Sequence, residues 1–238
     1  MGLKGVFEIE WEGVHFWGVG RRELLEKEKV AIVGTRRPLK YSRIYTFKLA
    51  KLLAYRFVVV SGGAIGIDRE AHLGALPNTI LISPAGIDLY YPMVNRELFD
   101  RVKKEGLLLS PYPPGFRPRR YTFLERNRII ISLASWVVIP EGTLSSGSFN
   151  SYRHSNELGR EVWTLPHRIG ESPLSELIAE EGGRVIWSLE KVAQELGVPV
   201  EGEEGKDKSK KGAEKRDPIQ EAMEELLGKK ERKFGHFL

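Results

Sequence analysis

The stretch FRPRRYTFLERNR, residues 116–128, sets five arginines and three aromatic rings into thirteen positions beside a single acid, Glu125. Guanidinium groups pair with phosphate, and flat rings offer a face on which a base can stack, so the pattern points to single-stranded nucleic acid. The stretch follows LLLSPYPPG, a strand ending in a proline-rich turn, which puts Arg117, Arg119 and Arg120 on a looped or extended segment. FLERNRIIISLAS then has helical character, with Ile129, Ile130 and Leu133 toward the core, Phe123 at the helix start, and Arg126, Asn127 and Arg128 in the first turns. Cations there oppose the helix dipole, which favours anions at an N-terminus, so such crowding calls for an anionic guest. The competing reading is a solvated charged loop with Phe123 tucked into the core.

Three further segments carry small, phosphate-compatible residues. VAIVGTRRP places Gly34, Thr35 and Arg36 after an apolar run. VVVSGGAIGID places Gly62, Gly63 and Gly66 after another, with a helix starting near Asp68 and its free N–H groups at the same edge. WVVIPEGTLSSGSFNS surrounds Gly147 with Thr143, Ser145, Ser146 and Ser148. Glycine at strand-to-helix turns is also a plain structural need, and neither GxxxxGK[ST] nor a clean GxGxxG is present, so ATP and NAD are not supported. Catalytic constellations are thin. Asp68 and His72 share a helix face as an acid–base pair or, more simply, as cap and core residues. His154 and His167 lack metal-ligand spacing, and the serines sit in no GxSxG elbow. No catalytic residue, metal site or cofactor is predicted.

The elements that must position these residues are legible from apolar runs: 30–34, 57–63, 79–83, 107–110, 136–140, 161–165 and 184–187. Each is short and apolar on both faces, as strands buried between two helix layers must be. Strand, loop and helix in repetition predict an α/β fold, an extended Rossmann-type, open and mostly parallel sheet with helices on both faces and its ligand at the carboxyl ends of the strands. Residues 1–28 read as a strand or hairpin leading into a short helix, and 29–196 as the Rossmann-type, nucleic-acid-binding domain. Residues 197–217 read as a charged linker and 218–238 as a short amphipathic helix or tail.

Charge and composition fit this division. Of 37 basic and 32 acidic residues, ten of each fall in 201–238, so the whole net charge of +5 belongs to residues 1–200. A basic bias on a globular body fits a polyanion partner. The absence of cysteine excludes disulfides, thiol nucleophiles and cysteine-ligated zinc. With no signal-peptide pattern and no apolar stretch of membrane-spanning length, a cytoplasmic protein without a membrane partner is expected.

The succession GTRRPLKYS, SGGAIGID, AHLGAL, GIDLYYPMVNREL, GLLLSPYPPG, FLERNRIIISLAS, SSGS and ELGREVWTLP, spread over residues 29–196, resembles the DNA-processing protein A (Smf) family. The resemblance implies a Rossmann-type domain that binds single-stranded DNA, forms homodimers, and helps load a RecA-type recombinase in DNA uptake and recombination. By position, Arg36 matches the arginine of the family's GSR motif, Arg120 the basic residue three before the phenylalanine, and Phe123 the base-stacking phenylalanine. Asn127 and Arg128 match its RNR element, and Ser61 to Gly66 its SGxAxGID loop. Departures are Leu124 where the family has proline and Gly142 where it has alanine. Family members also commonly carry larger flanking domains, which bears on recombinase loading.

Two other readings share the fold. PEGTLSSGS looks like a worn PGGxGTxxE loop of nucleoside-monophosphate phosphoribohydrolases, but Glu141 replaces the second glycine and Ser146 the catalytic glutamate. A sensor for a nucleotide-derived ligand is the other. Titration with oligo-dT against AMP or ADP-ribose separates them.

Overall fold

The computed structural model describes residues 5–199. Nearly all of the expected linker and the whole C-terminal helix therefore lie outside the described residues. Among the described residues nine strands form one sheet: β1 (Val6–Trp11), β2 (Val14–Gly20), β3 (Lys29–Ile32), β4 (Val58–Ser61), β5 (Thr79–Ile82), β6 (Leu107–Ser110), β7 (Trp136–Val138), β8 (Val162–Thr164) and β9 (Arg184–Val185). Between them run α1 (Lys40–Leu53), α2 (Ile67–Ala75), α3 (Arg96–Glu105), α4 (Arg120–Leu133), α5 (Gly147–Glu157), α6 (Pro173–Glu180) and α7 (Leu189–Leu196). The strand order is β1-β2-β6-β5-β4-β3-β7-β8-β9, and all neighbours from β6 to β9 are parallel.

Every residue of β3 to β6 is buried, which is why these runs carry apolar side chains on both faces. Alternate strand positions feed two layers. Ala31, Val58 and Val60 pack with Ile130, Ile131, Tyr152, Leu174 and Ile178 of α4, α5 and α6 on one face. Val30, Ile32 and Val59 pack with Leu49, Leu53, Ile67, Ala71 and Val192 of α1, α2 and α7 on the other. The expected inward set of α4 shifts slightly: Ile130 and Ile131 are buried, and Ile129 and Leu133 only partly.

The N-terminal hairpin shares this core rather than standing apart from it. β2 pairs antiparallel with β6, from Trp17 opposite Ser110 to Gly20 opposite Leu107, and covers an edge that would otherwise present unpaired backbone. A 3-10 helix at Arg22–Glu26 then inserts Leu24 and Leu25 among the buried residues.

The chain steps outward from β3 through β4 and β5 to β6. α4 then carries it back across the sheet to β7, which pairs with the other side of β3. The strand order reverses between β3 and β7, and a crevice at the carboxyl ends of two such strands is where an open α/β sheet takes its ligand. Among the described residues no helix is long and apolar enough to cross a membrane.

Candidate nucleic-acid interface

The loop after β3 is fixed from the β7 side. Val33 N–H donates to the Val138 carbonyl and Thr35 N–H to the Glu141 carbonyl, both at 3.0 Å. The buried Glu141 carboxylate also accepts from Leu39 N–H at 2.9 Å, so one residue holds the loop at two points. Gly34 has no room for a side chain, since a Cβ there would stand 2.7 Å from Ile67 and 2.9 Å from the Glu141 carbonyl. Held this way, the loop leaves Arg36 and Arg37 exposed.

The loop after β4 locks onto the first. Ile67 N–H donates to the Thr35 carbonyl at 3.2 Å, and Asp68 accepts from Ala64 N–H at 3.3 Å. Gly62 is a glycine for a reason the sequence did not disclose: a Cβ there would overlap the Arg126 guanidinium, which lies over its backbone. Ser61 and Gly63 sit beneath. The Ser61 hydroxyl donates to the Ile32 carbonyl at 2.6 Å, and the Gly63 carbonyl accepts from Asn95 Nδ2 at 2.9 Å.

α4 supplies the third side. Thr122 Oγ1 accepts from Arg119 N–H at 3.1 Å and donates to the Arg119 carbonyl at 2.8 Å, which starts the helix at Arg120. Three and four residues apart on one helical face, Phe123, Arg126 and Asn127 then turn together toward the loops. Phe123 is not a core residue. Its ring is partly exposed, 5.3 Å from the Tyr91 ring, with the Arg36 guanidinium 5.6 Å above its centroid. Arg126, by contrast, is only 3% exposed, and its Nη1 lies 3.6 Å from Asp68 Oδ2. Among the described residues its Nε and Nη1 find no hydrogen-bond partner. Burial pushes the Asp68 carboxyl above the usual range against the pull of Arg126, and burial likewise lowers the Arg126 pKa.

The third glycine-bearing loop completes the enclosure. Ser146 Oγ donates to the Thr143 carbonyl at 2.6 Å and pairs with Ser148 Oγ at 2.6 Å as α5 begins at Gly147. Together these elements enclose a cleft of about 450 Å³ at the point where the strand order reverses. Gly34, Thr35, Arg36, Phe123, Asn127, Ser146, Gly147 and Ser148 line it, with Arg37, Asp68 and Arg126. Gly62 lines a smaller hollow behind Phe123 with Tyr91 and Pro84. Ser61, Gly63, Arg117, Arg119, Arg120 and Arg128 are not among the residues lining the cleft. Arg117 and Arg119 are exposed on the loop before α4, Arg120 is exposed at its first position, and Arg128 lines a smaller hollow beside the cleft.

Asp68 and His72 do not form an acid–base pair. His72 is fully buried, Nδ1 is 2.7 Å from Thr79 Oγ1, and burial with the nearby Arg126 charge pushes its pKa down to about 3. Sequence reasoning counted Arg126 among the cations facing an anion and did not foresee its burial against Asp68, and it missed Tyr91 as a site residue. The spacing of Arg126 from Phe123 on α4 was the available signal, but a helical arginine reads as solvated unless its burial is known.

An open cleft with exposed guanidinium groups, one accessible ring and a ring of small hydroxyls can hold a phosphate-bearing chain and stack one of its bases. Comparison with known proteins gives this arrangement a lineage. The chain is 38% identical over 175 residues to Protein Smf of Synechocystis sp., covering 71% of this chain and 44% of that protein. It is 36% identical over 182 residues to the DNA processing protein DprA of Streptococcus pneumoniae, covering 74% and 64%. It thus spans roughly half to two thirds of the length of these relatives. The DNA processing protein A structure from Helicobacter pylori, described for its single-stranded DNA binding mode, superposes with a TM-score of 0.75 at 39% identity, over 76% of this chain and 86% of that one. The Streptococcus pneumoniae structure superposes with a TM-score of 0.72 at 35% identity, over 76% and 66%. The model of the DNA recombination-mediator protein A family matches residues 6–197, and the chain belongs to that family.

Proposed function

We propose that the chain binds single-stranded DNA in the cleft between the β3 and β7 loops and serves DNA uptake and recombination without catalysing a reaction. The observation that carries this reading is the Arg36 guanidinium over the partly exposed Phe123 ring at the cleft mouth, which sets a phosphate partner beside a stacking face. Arg117, Arg119 and Arg120 on and just before the first turn of α4 meet phosphates outside the cleft, and Asn127 and the Ser146–Ser148 loop meet the strand inside it. Family membership and the DNA-binding relative from Helicobacter pylori support the same substrate class. Action as a homodimer in the cytoplasm, and hand-over of the strand to a RecA-type recombinase, belong to this proposal.

The test is a titration of labelled oligo-dT, duplex DNA and AMP against one sample. Selective, salt-sensitive binding of oligo-dT is expected, and Arg36→Ala should weaken it while lowering the log–log salt slope by about 0.7. Tighter binding of AMP than of oligo-dT, or release of its base, would instead favour the nucleotide-ligand readings.

A further inference from the structure

A second hollow, of about 130 Å³, opens beside the cleft between α4 and α5. Leu124, Asn127 and Ser151 line both spaces, so the two adjoin along the seam between α4 and α5. The second is walled by Arg128 of α4 and by Asn150, Arg153 and His154 of α5. Positions 147, 150, 154 and 157 recur at three- and four-residue spacing and follow one face of α5 away from the cleft. At 1.5 Å per residue the run from Gly147 to Glu157 extends about 15 Å, room for a few nucleotides.

The positive charge of this groove is only partly offset: Arg128 and Arg153 both act through space on Glu157, the single acid that lines it. Arg128 and Arg153 are exposed, and neither guanidinium makes an ion pair or hydrogen bond among the described residues. The acid that lines it, Glu157, is engaged by His154 Nδ1 at 3.1 Å, and that hydrogen bond lowers its pKa. Two exposed cations against one acid, two amide side chains and a position beside the cleft suit a phosphate backbone better than an apolar partner.

We infer that the α4–α5 groove is a second segment of the interface, in which Arg128 and Arg153 track the phosphates of single-stranded DNA that has left the cleft. The inference rests on the cleft being a single-strand site. It is tested with oligo-dT of two lengths, a tetranucleotide that fills the cleft alone and a strand of about twenty nucleotides, over a range of salt concentrations. The tetranucleotide should bind wild type and Arg153→Ala equally. The long strand should bind Arg153→Ala several-fold more weakly, with a salt slope smaller by about 0.7, and Arg128→Ala/Arg153→Ala with a slope smaller by about 1.4. Arg153→Lys, which keeps the charge, should retain the slope. Unchanged binding of the long strand to Arg153→Ala would overturn the inference, as would an equal loss at both lengths, which would place the residue's effect in the cleft or the fold. Failure of wild type to bind either strand would instead overturn the reading of the cleft, and this segment with it.

Discussion

Phe123 touches Tyr91 and lies beneath Arg36, but it fills no cavity in the sheet domain. Phe123→Ala should therefore cost about 1–3 kcal/mol in single-strand affinity and leave the melting transition nearly unmoved. Phe123→Trp should keep most of the affinity, with binding and unfolding measured on the same samples. Arg126 behaves in the opposite way. Arg126→Leu leaves the Asp68 carboxylate buried and unpaired, so it should destabilise the fold by about 3–5 kcal/mol at neutral pH. Burial already raises the Asp68 pKa above its unfolded value. The contribution of such a group is fully present below the ordinary aspartate range and is lost as pH rises through the folded value. The deficit of Arg126→Leu should accordingly shrink as pH falls toward about 4, which urea melts of both proteins at acidic and neutral pH would register. At this scale the sequence was half legible: the exposed Arg36 and the half-open Phe123 announced themselves by type and spacing. Gly62 stood out as a glycine that frees the backbone for a ligand, whereas it makes room for a guanidinium from a helix some sixty positions away, which no local pattern encodes.

Among the elements, the loop at 34–39 owes its shape to a residue that does not line the cleft. Glu141 accepts from Thr35 N–H through its main chain and from Leu39 N–H through its side chain. Glu141→Ala should therefore lower single-strand affinity and speed hydrogen exchange at the Leu39 amide, whereas Glu141→Gln, which keeps an acceptor oxygen, should restore both. Unaltered exchange at Leu39 in the alanine variant would show that the loop is held by other means. The seven core strands were all readable: β3 to β6 are buried along their whole length and so mostly apolar, while the short, half-exposed β9 was marked by its apolar run and the glycines before it. The boundary of β4 was read two residues long, through Gly63, because a glycine pair after a valine run does not reveal where ladder pairing stops. The place of Glu141 escaped local reading, since its partners lie about a hundred positions earlier in the chain.

For the whole molecule, the N-terminal hairpin is the least predictable part and a strong determinant of stability. Its alternation pointed to a strand or hairpin, but the docking of β2 on β6 depends on an edge formed by residues 107–110. Phe16, fully buried in the shared core, should cost about 3–5 kcal/mol when replaced by alanine and lower the melting temperature. Molecules that remain folded should bind oligo-dT normally, because no hairpin residue lines the cleft. The same topology bears on the order in which a ribosome can deliver a working protein. β3 emerges early, yet the neighbour that completes one side of it, β7, emerges only at residues 136–138, and the partner of β2 only at 107–110. Such distant pairings favour slow closure. At a synthesis rate of about 5–20 residues per second, a nascent chain passes several seconds with its central strand half paired. DNA cannot seat in the cleft during that interval, because one of its walls has yet to be translated.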